Sequence, residues 1–239
     1  MIKQTLLTAG NAKIIKGEKL GYITKGIHFA PANLSGYEVC GSRSKGCTKA
    51  CLNTAGRGQM DSIQDSRIAK TILFFKNKLP FMEKLTKEIA LGIKSAIKKE
   101  MEAVFRPNLT SDLPWENIKD AEEQTLMQKF PATQFYDYTK HYSRMEKFIN
   151  GEMPENYHLT FSLSEDNEED ALKVLDIGGN VAVVFRDQIP DTWKGFEVIN
   201  GDENDLRFLD KQGGFIVGLI EKGLAKKDEE GFVQEGINS

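Results

Sequence analysis

A chain of 239 residues, 40% hydrophobic and 28% charged, is long enough for one large core or two modest ones and reads as a soluble globular protein. Its opening apolar run is too short for a signal peptide, and no later run approaches the roughly 20 apolar residues of a membrane span. The expected setting is therefore a reducing cytoplasm, with no membrane partner. The net charge of −3 conceals an asymmetry: residues 1–107 carry 19 Lys and Arg against 8 Asp and Glu, and the remainder carries 13 against 27. The basic half attracts phosphates, carboxylates or a nucleic-acid backbone, whereas the acidic half counts against a general DNA binder.

Residues 1–20 have no clear period, and Lys13, Lys16 and Lys19 mark an exposed approach segment. Residues 21–30 read as a first strand, ended by Pro31. All three cysteines follow within a dozen positions, as Cys40, Cys47 and Cys51 in a Cys-x6-Cys-x3-Cys spacing. Thiolates are soft donors suited to zinc or to an iron–sulfur cluster. An odd number of them cannot pair off within the chain, which disfavours a disulfide framework. Small buried hydrophobe is the ordinary role of cysteine, but this stretch is rich in Gly, Ser, Lys and Arg and offers little apolar cover. A helix over 47–53 would set Cys47 and Cys51 on one face, one turn apart. Arg43, Lys45, Lys49 and Arg57 are interleaved with the thiols, where they would lower thiol pKa values and attract an anionic ligand. The turn at 56–58 offers backbone N–H groups to the same ligand.

Two helices are expected next, one from residue 61 or 62 with Ile63, Ile68, Ile72, Leu73 and Phe74 among its apolar positions, the other over 80–99. From residue 101 the rhythm changes to short β-rich segments at 102–106, 133–137, 157–162, 180–185, 196–200 and 214–219. Helices are expected between them over 115–130, 143–149 and 165–175. Strands alternating with helices argue for βαβ units and a largely parallel sheet, hence an α/β fold. With about seven strands the expected architecture is a complete or partial (β/α) barrel, TIM-like, with an open doubly wound parallel sheet as the alternative. The whole of 1–239 reads as one α/β domain, with a basic segment and cysteine loop at 1–60 packed on a barrel-like body at 61–239.

In such folds ligands bind where strands end. Arg106, Asp112, Asp137, Lys140 and Asp202 follow strands directly and are the candidate catalytic residues. Charged groups at a strand end are costly without a partner or ligand. Ser164, Asp187 and Asn204 read instead as caps and turns. His28 and His158 read as hydrogen-bonded core histidines, with His28 also placed to be a fourth ligand beside the cysteines.

The motifs GEKLGY at 17–22, CLNTAGRG at 51–58, QFYDYTK at 134–140 and YHLTFS at 157–162 resemble, over nearly the full length, a family of tailed-phage and prophage proteins. The layout, with a first strand, a three-cysteine loop and strands ending in polar residues, is similar to the partial barrel of radical S-adenosylmethionine enzymes. That resemblance implies a four-iron, four-sulfur cluster held by Cys40, Cys47 and Cys51, with S-adenosylmethionine on its open iron. It also places Ser162 and Glu165 near the strand that helps hold the ribose. The spacing departs from the usual Cys-x3-Cys-x2-Cys.

The leading expectation is thus a phage-encoded iron–sulfur enzyme acting on a nucleotide or nucleic-acid substrate, with Arg57, Ser162 and Glu165 on the cofactor. One alternative is a zinc-binding, non-enzymatic factor that grips nucleic acid or a host protein. The other is a metal-independent nucleotide hydrolase or glycosidase-like barrel using Asp137 and Asp202.

Overall fold

The computed structural model describes residues 4–8 and 15–236; Lys13 of the expected approach segment lies outside the described residues. In chain order the elements are β1 (Tyr22–Gly26), α1 (Ala32–Ser35), α2 (Lys45–Lys49), α3 (Asp61–Lys76), α4 (Lys78–Ile97) and β2 (Glu102–Arg106). Then come α5 (Leu126–Lys129), β3 (Phe135–Thr139), α6 (Tyr142–Ile149), β4 (Tyr157–Ser162), α7 (Glu168–Asp176) and β5 (Val181–Phe185). The chain continues through β6 (Thr192–Trp193), β7 (Phe196–Asn200), β8 (Ile216–Ile220) and β9 (Val233–Gln234), with single 3-10 turns between several elements.

The sheet order is β1-β2-β3-β4-β5-β8-β7-β6, with β9 beside β5. Apart from the antiparallel β6–β7 hairpin, the registered pairs are parallel. The fold is an α/β fold with an open sheet, which corrects the closed barrel. Closure needs the last parallel strand to reach β1, but the outer edge of β8 is taken by β7, and β6 then ends the order. Neither β6 nor β9 exceeds two residues, too short to leave a period in the sequence.

Contacts divide the chain into two compact units. The first comprises residues up to Gly41, Gln59–Asp137 and Pro154–His158; the second comprises Ser42–Gly58, Tyr138–Met153 and Leu159 onward. The division cuts the cysteine stretch between Cys40 and Cys47.

In the first unit β1 and β2 pair in register from Tyr22↔Glu102 to Gly26↔Arg106. Gly26 is required there, because a Cβ at that position would lie 2.3 Å from the Arg106 carbonyl oxygen. Helix α4 is amphipathic: Phe81, Met82, Leu85, Ile89 and Ala96 are buried, with lysines and glutamates on its other side. Its Gly92 allows the Phe105 ring of β2 to approach closely. An aromatic cluster of Phe29, Phe74, Phe81 and Trp115, with ring centroids 5.3–6.4 Å apart, fills the core.

Helix α3 departs from expectation. Its buried positions are Arg67, Lys70, Thr71 and Phe74, while Ile63, Ile68, Ile72 and Leu73 are only partly covered. The expected helix over 115–130 is instead a 3-10 turn at Trp115–Asn117, a loop, and α5. Three local bonds draw the backbone off the helical path. The Trp115 indole N–H donates to Asn108 Oδ1 at 3.1 Å, and Asp120 Oδ1 accepts the N–H groups of Glu122 and Gln124. A capping box of Thr125 and Gln128 then starts α5 afresh.

In the second unit the core lies between β5 and β8 (Val181, Val183, Phe185, Ile216, Val217) and α7 (Ala171, Val174, Leu175). Arg207 is fully buried there, donating to Asn204 O at 2.7 Å and pairing with Asp210 at 3.2 Å.

Candidate functional site

In the first unit the carboxyl ends of β1 and β2, and β3 at Asp137, carry polar side chains. Arg106 is the last residue of β2, and His28 lies two residues beyond β1. The two ends are held together by the Ile27 N–H, which donates to Arg106 O, and the Leu109 N–H, which donates to Ile27 O. Asp137, in β3, is fully buried. Its Oδ1 accepts the Asn108 backbone N–H at 2.8 Å, and its Oδ2 accepts Asn108 Nδ2 at 3.1 Å and the Tyr157 hydroxyl at 2.8 Å. Asn108 Oδ1 in turn accepts Ser111 Oγ, the Leu113 N–H and the Trp115 indole. A carboxylate receiving three donors in a buried site is a structural anchor for the loop after β2. Asp112 belongs to that loop and is half-buried, its N–H donating to Val39 O at 2.7 Å.

His28 is not the hydrogen-bonded core histidine expected. Its Nδ1 is buried and makes no hydrogen bond among the described residues. Burial, followed by the positive charges of Arg67, Lys70 and Arg106, lowers its pKa to about 3, so the ring is neutral at physiological pH. The sequence signal that could have revealed this group is the pair of cations three residues apart on α3, at positions that carry the helix's covered face. His158 is buried within β4, whose residues are buried through Phe161 on both faces.

In the second unit Ser44 caps α2, its Oγ accepting the Cys47 N–H at 3.0 Å. Glu165 completes the cap: one carboxylate oxygen accepts from Ser44 Oγ at 2.7 Å and the other from the Gly46 N–H. A negative side chain is favoured at this helix start because its N–H groups point outward unpaired. Helix α2 ends at Lys49, so Cys51 lies beyond it, at the head of the next 3-10 turn, where its sulfur accepts the Asn53 N–H at 3.4 Å. The expected single helix over 47–53, with both thiols one turn apart, is therefore replaced by a break at Ala50.

Lys140 closes the end of β4. Its ammonium donates to Ser162 O and Oγ, both at 3.1 Å, and to Leu163 O at 3.0 Å, and it lies 5.5 Å from the centre of the Phe232 ring. Lys140, Ser162 and Glu165 are thus brought into two neighbouring hydrogen-bonded groups. Asp202 is elsewhere in the unit, accepting the Ile220 N–H at 3.0 Å and pairing with Lys222 at 2.8 Å. Arg57 is exposed on a 3-10 turn, and the Gly58 N–H expected to face an anion is used by Ala55 O at 2.9 Å. Lys45 and Lys49 both pair with Glu230, whose carboxyl is held below its usual range by Lys49 first and then by Lys45.

None of Cys40, Cys47 and Cys51 is in a disulfide, and each is half-buried. Cys40 Sγ approaches Thr110 O at 3.9 Å within the first unit. Among the described residues no group of three or more His, Cys, Asp or Glu side chains is arranged to hold a metal ion.

A family model described as Gene product 88 matches residues 5–236. The chain belongs to that family. The match spans nearly the whole length and agrees with the resemblance to tailed-phage and prophage proteins drawn from its motifs. No curated protein and no solved structure matches this Gene product 88 family member. Among its described residues no helix is long and apolar enough to cross a membrane.

Proposed function

We propose that this Gene product 88 family member is a metal-binding phage protein whose Cys40, Cys47 and Cys51 take up an iron–sulfur cluster, and that it is an enzyme of the host cytoplasm acting on a nucleotide-like substrate. The observation that carries the reading is the state of the thiols. All three sit within residues 40–51, outside any disulfide, and none is buried as a core hydrophobe would be. The parallel strands β1 to β5 lie side by side in chain order. In parallel sheets ligands gather beyond the carboxyl ends of strands, and the cysteine stretch follows the first of them.

Uptake of metal by the three thiols would bring Cys40, Cys47 and Cys51 to one centre, since metal binding and local folding are coupled. When bound, such a cluster supplies electron transfer or Lewis acidity. The chain's own contribution is the support around it. Glu165 and Ser44 fix the start of the helix bearing Cys47, and Lys140 fixes the end of β4 beside Ser162.

The test is a visible spectrum with iron, sulfide and zinc analysis on protein purified without oxygen. A brown protein, bleached by dithionite and colourless after a triple Cys→Ser change, is the expected result, with S-adenosylmethionine cleavage as the next assay. Stoichiometric zinc would favour the second reading, a structural site in a factor that binds nucleic acid or a host protein. That reading draws on the excess of basic residues in the first 107. Protein holding neither metal overturns both.

A further inference from the structure

In the second unit the segment from Gly223 to Glu235 folds back on the chain that bears Cys47 and Cys51. Strand β5 has two edges, and β8 pairs along the whole of one, from Val181↔Ile216 to Phe185↔Ile220. The other edge is shared: β4 holds its beginning at Val181 and Ala182, and β9 holds its end at Val184 and Phe185. The short strand β9 thus takes the place that β4 vacates beyond Ser162. Ligands of parallel sheets gather at such strand ends, and here the chain's own residues fill one. The segment is lightly held. Strand β9 is two residues long, and the apolar contact comes from Ala50, Ala225 and Val233, with Val184 and Phe232 packed against them. Gly46 of α2 lets Phe232 approach, since a Cβ at that position would lie 2.9 Å from the Phe232 Cβ. Glu230 pairs with Lys45 at 3.0 Å and with Lys49, side chains that are 72% and 61% exposed. Arg186 supplies the remaining tie, donating from Nη2 to Asp228 O at 3.0 Å and from its backbone N–H to Gln234 O at 2.9 Å. A cavity of about 410 Å3, lined by Arg186 and by Asp228, Gly231 and Val233, leaves the packing along the segment incomplete. Segments with few buried apolar contacts and exposed ion pairs open at low cost in free energy.

We propose that residues 223–235 form a strap that closes the carboxyl ends of β4 and β5 and governs access to the segment bearing Cys47 and Cys51. It touches Gly46 and Ala50, the chain neighbours of those two thiols, and Lys45 and Lys49 on either side of Cys47. Gly223, at φ +58°, is the turn at which the strap begins. Asp228 keeps the moving part together, its Oδ2 accepting the N–H groups of Gly231 at 3.1 Å and Val233 at 2.9 Å. Opening separates Glu230 from its two lysines and withdraws Phe232 from Gly46. It also uncovers Lys140 at the end of β4, whose ammonium lies 5.5 Å from the centre of the Phe232 ring. The strap, α2 and Lys140 all belong to the second unit, and the device does not depend on metal at the thiols.

The experiment measures hydrogen exchange on the full chain as purified, and pulsed iodoacetamide labelling of the same protein after reduction and chelation, both read peptide by peptide by mass spectrometry. Amides of 223–235 and of 44–55 are expected to exchange together, and faster than those of β5 and β8. Glu230→Lys sets three cations against one another and should speed both strap exchange and labelling of Cys47 and Cys51 about tenfold, the combined worth of two exposed ion pairs. Phe232→Ala leaves the charge unchanged and should act in the same direction, which separates opening from any effect of charge on the thiols. The charge-swapped protein, with Lys45→Glu, Lys49→Glu and Glu230→Lys, should return towards the parent rates. Cys40, in the first unit, is the internal reference and should keep its rate. Strap exchange no faster than that of β5, or rates unchanged in either Glu230→Lys or Phe232→Ala, overturns the proposal. Acceleration that extends equally to the β5 and β8 amides means unfolding of the whole unit and overturns it as well.

Discussion

Asp137 holds both the main chain and the side chain of Asn108, receiving the backbone N–H at 2.8 Å and Nδ2 at 3.1 Å. Through Asn108 the same carboxylate sets the position of Trp115, and it is itself tied to the Tyr157 hydroxyl. Asp137→Ala leaves three buried donors without their acceptor and should cost about 3 kcal/mol of stability. Urea unfolding would measure it. A loss below about 1 kcal/mol, combined with loss of activity, would return Asp137 to a chemical role.

Lys140 is expected to behave as a clamp on the end of β4. Lys140→Met keeps the stem but removes the donors to Ser162 and Leu163, and should cost about 1–2 kcal/mol at this half-buried position. Denaturation midpoints, taken together with metal content, would distinguish this from a direct role in ligand binding.

Glu165 should control access to the thiol on α2. Glu165→Ala removes the acceptor of both the Ser44 hydroxyl and the Gly46 N–H, costing about 1 kcal/mol and loosening the first turn. Labelling of Cys47 by a disulfide reagent should then accelerate several-fold, helped by the loss of a nearby negative charge. An unchanged labelling rate would show that the cap does not govern this segment.

His28 gives the fold a defined acid sensitivity. The unfolded chain takes up a proton near the ordinary histidine value of 6.5, whereas the folded ring stays neutral down to about 3. Between those values the unfolded state holds more protons, so stability falls as pH drops from 6.5 towards 3 and is insensitive to this group above that window. His28→Asn should flatten the pH dependence of the unfolding free energy across the window.

The sequence by itself determined the class of the fold and much of its rhythm. Strands at 102–106, 157–162 and 196–200 lie where alternation and β-branched or aromatic content placed them, because a strand's period is local. The concentration of cysteine at 40–51 was equally plain. Whether the sheet closes was not legible, since that depends on β7 and β6 occupying the far edge of β8, a pairing between distant segments. Nor could the sequence reveal that Asp137 and Lys140 are committed to anchoring loops, because charged residues at strand ends look alike until their partners are known. The inward turn of Arg67 and Lys70 is the clearest case. Helical periodicity favoured burial of the isoleucines, and only the tertiary bonds of Thr71 to Ala30 and of Lys70 to Leu6 set which face of α3 points inward.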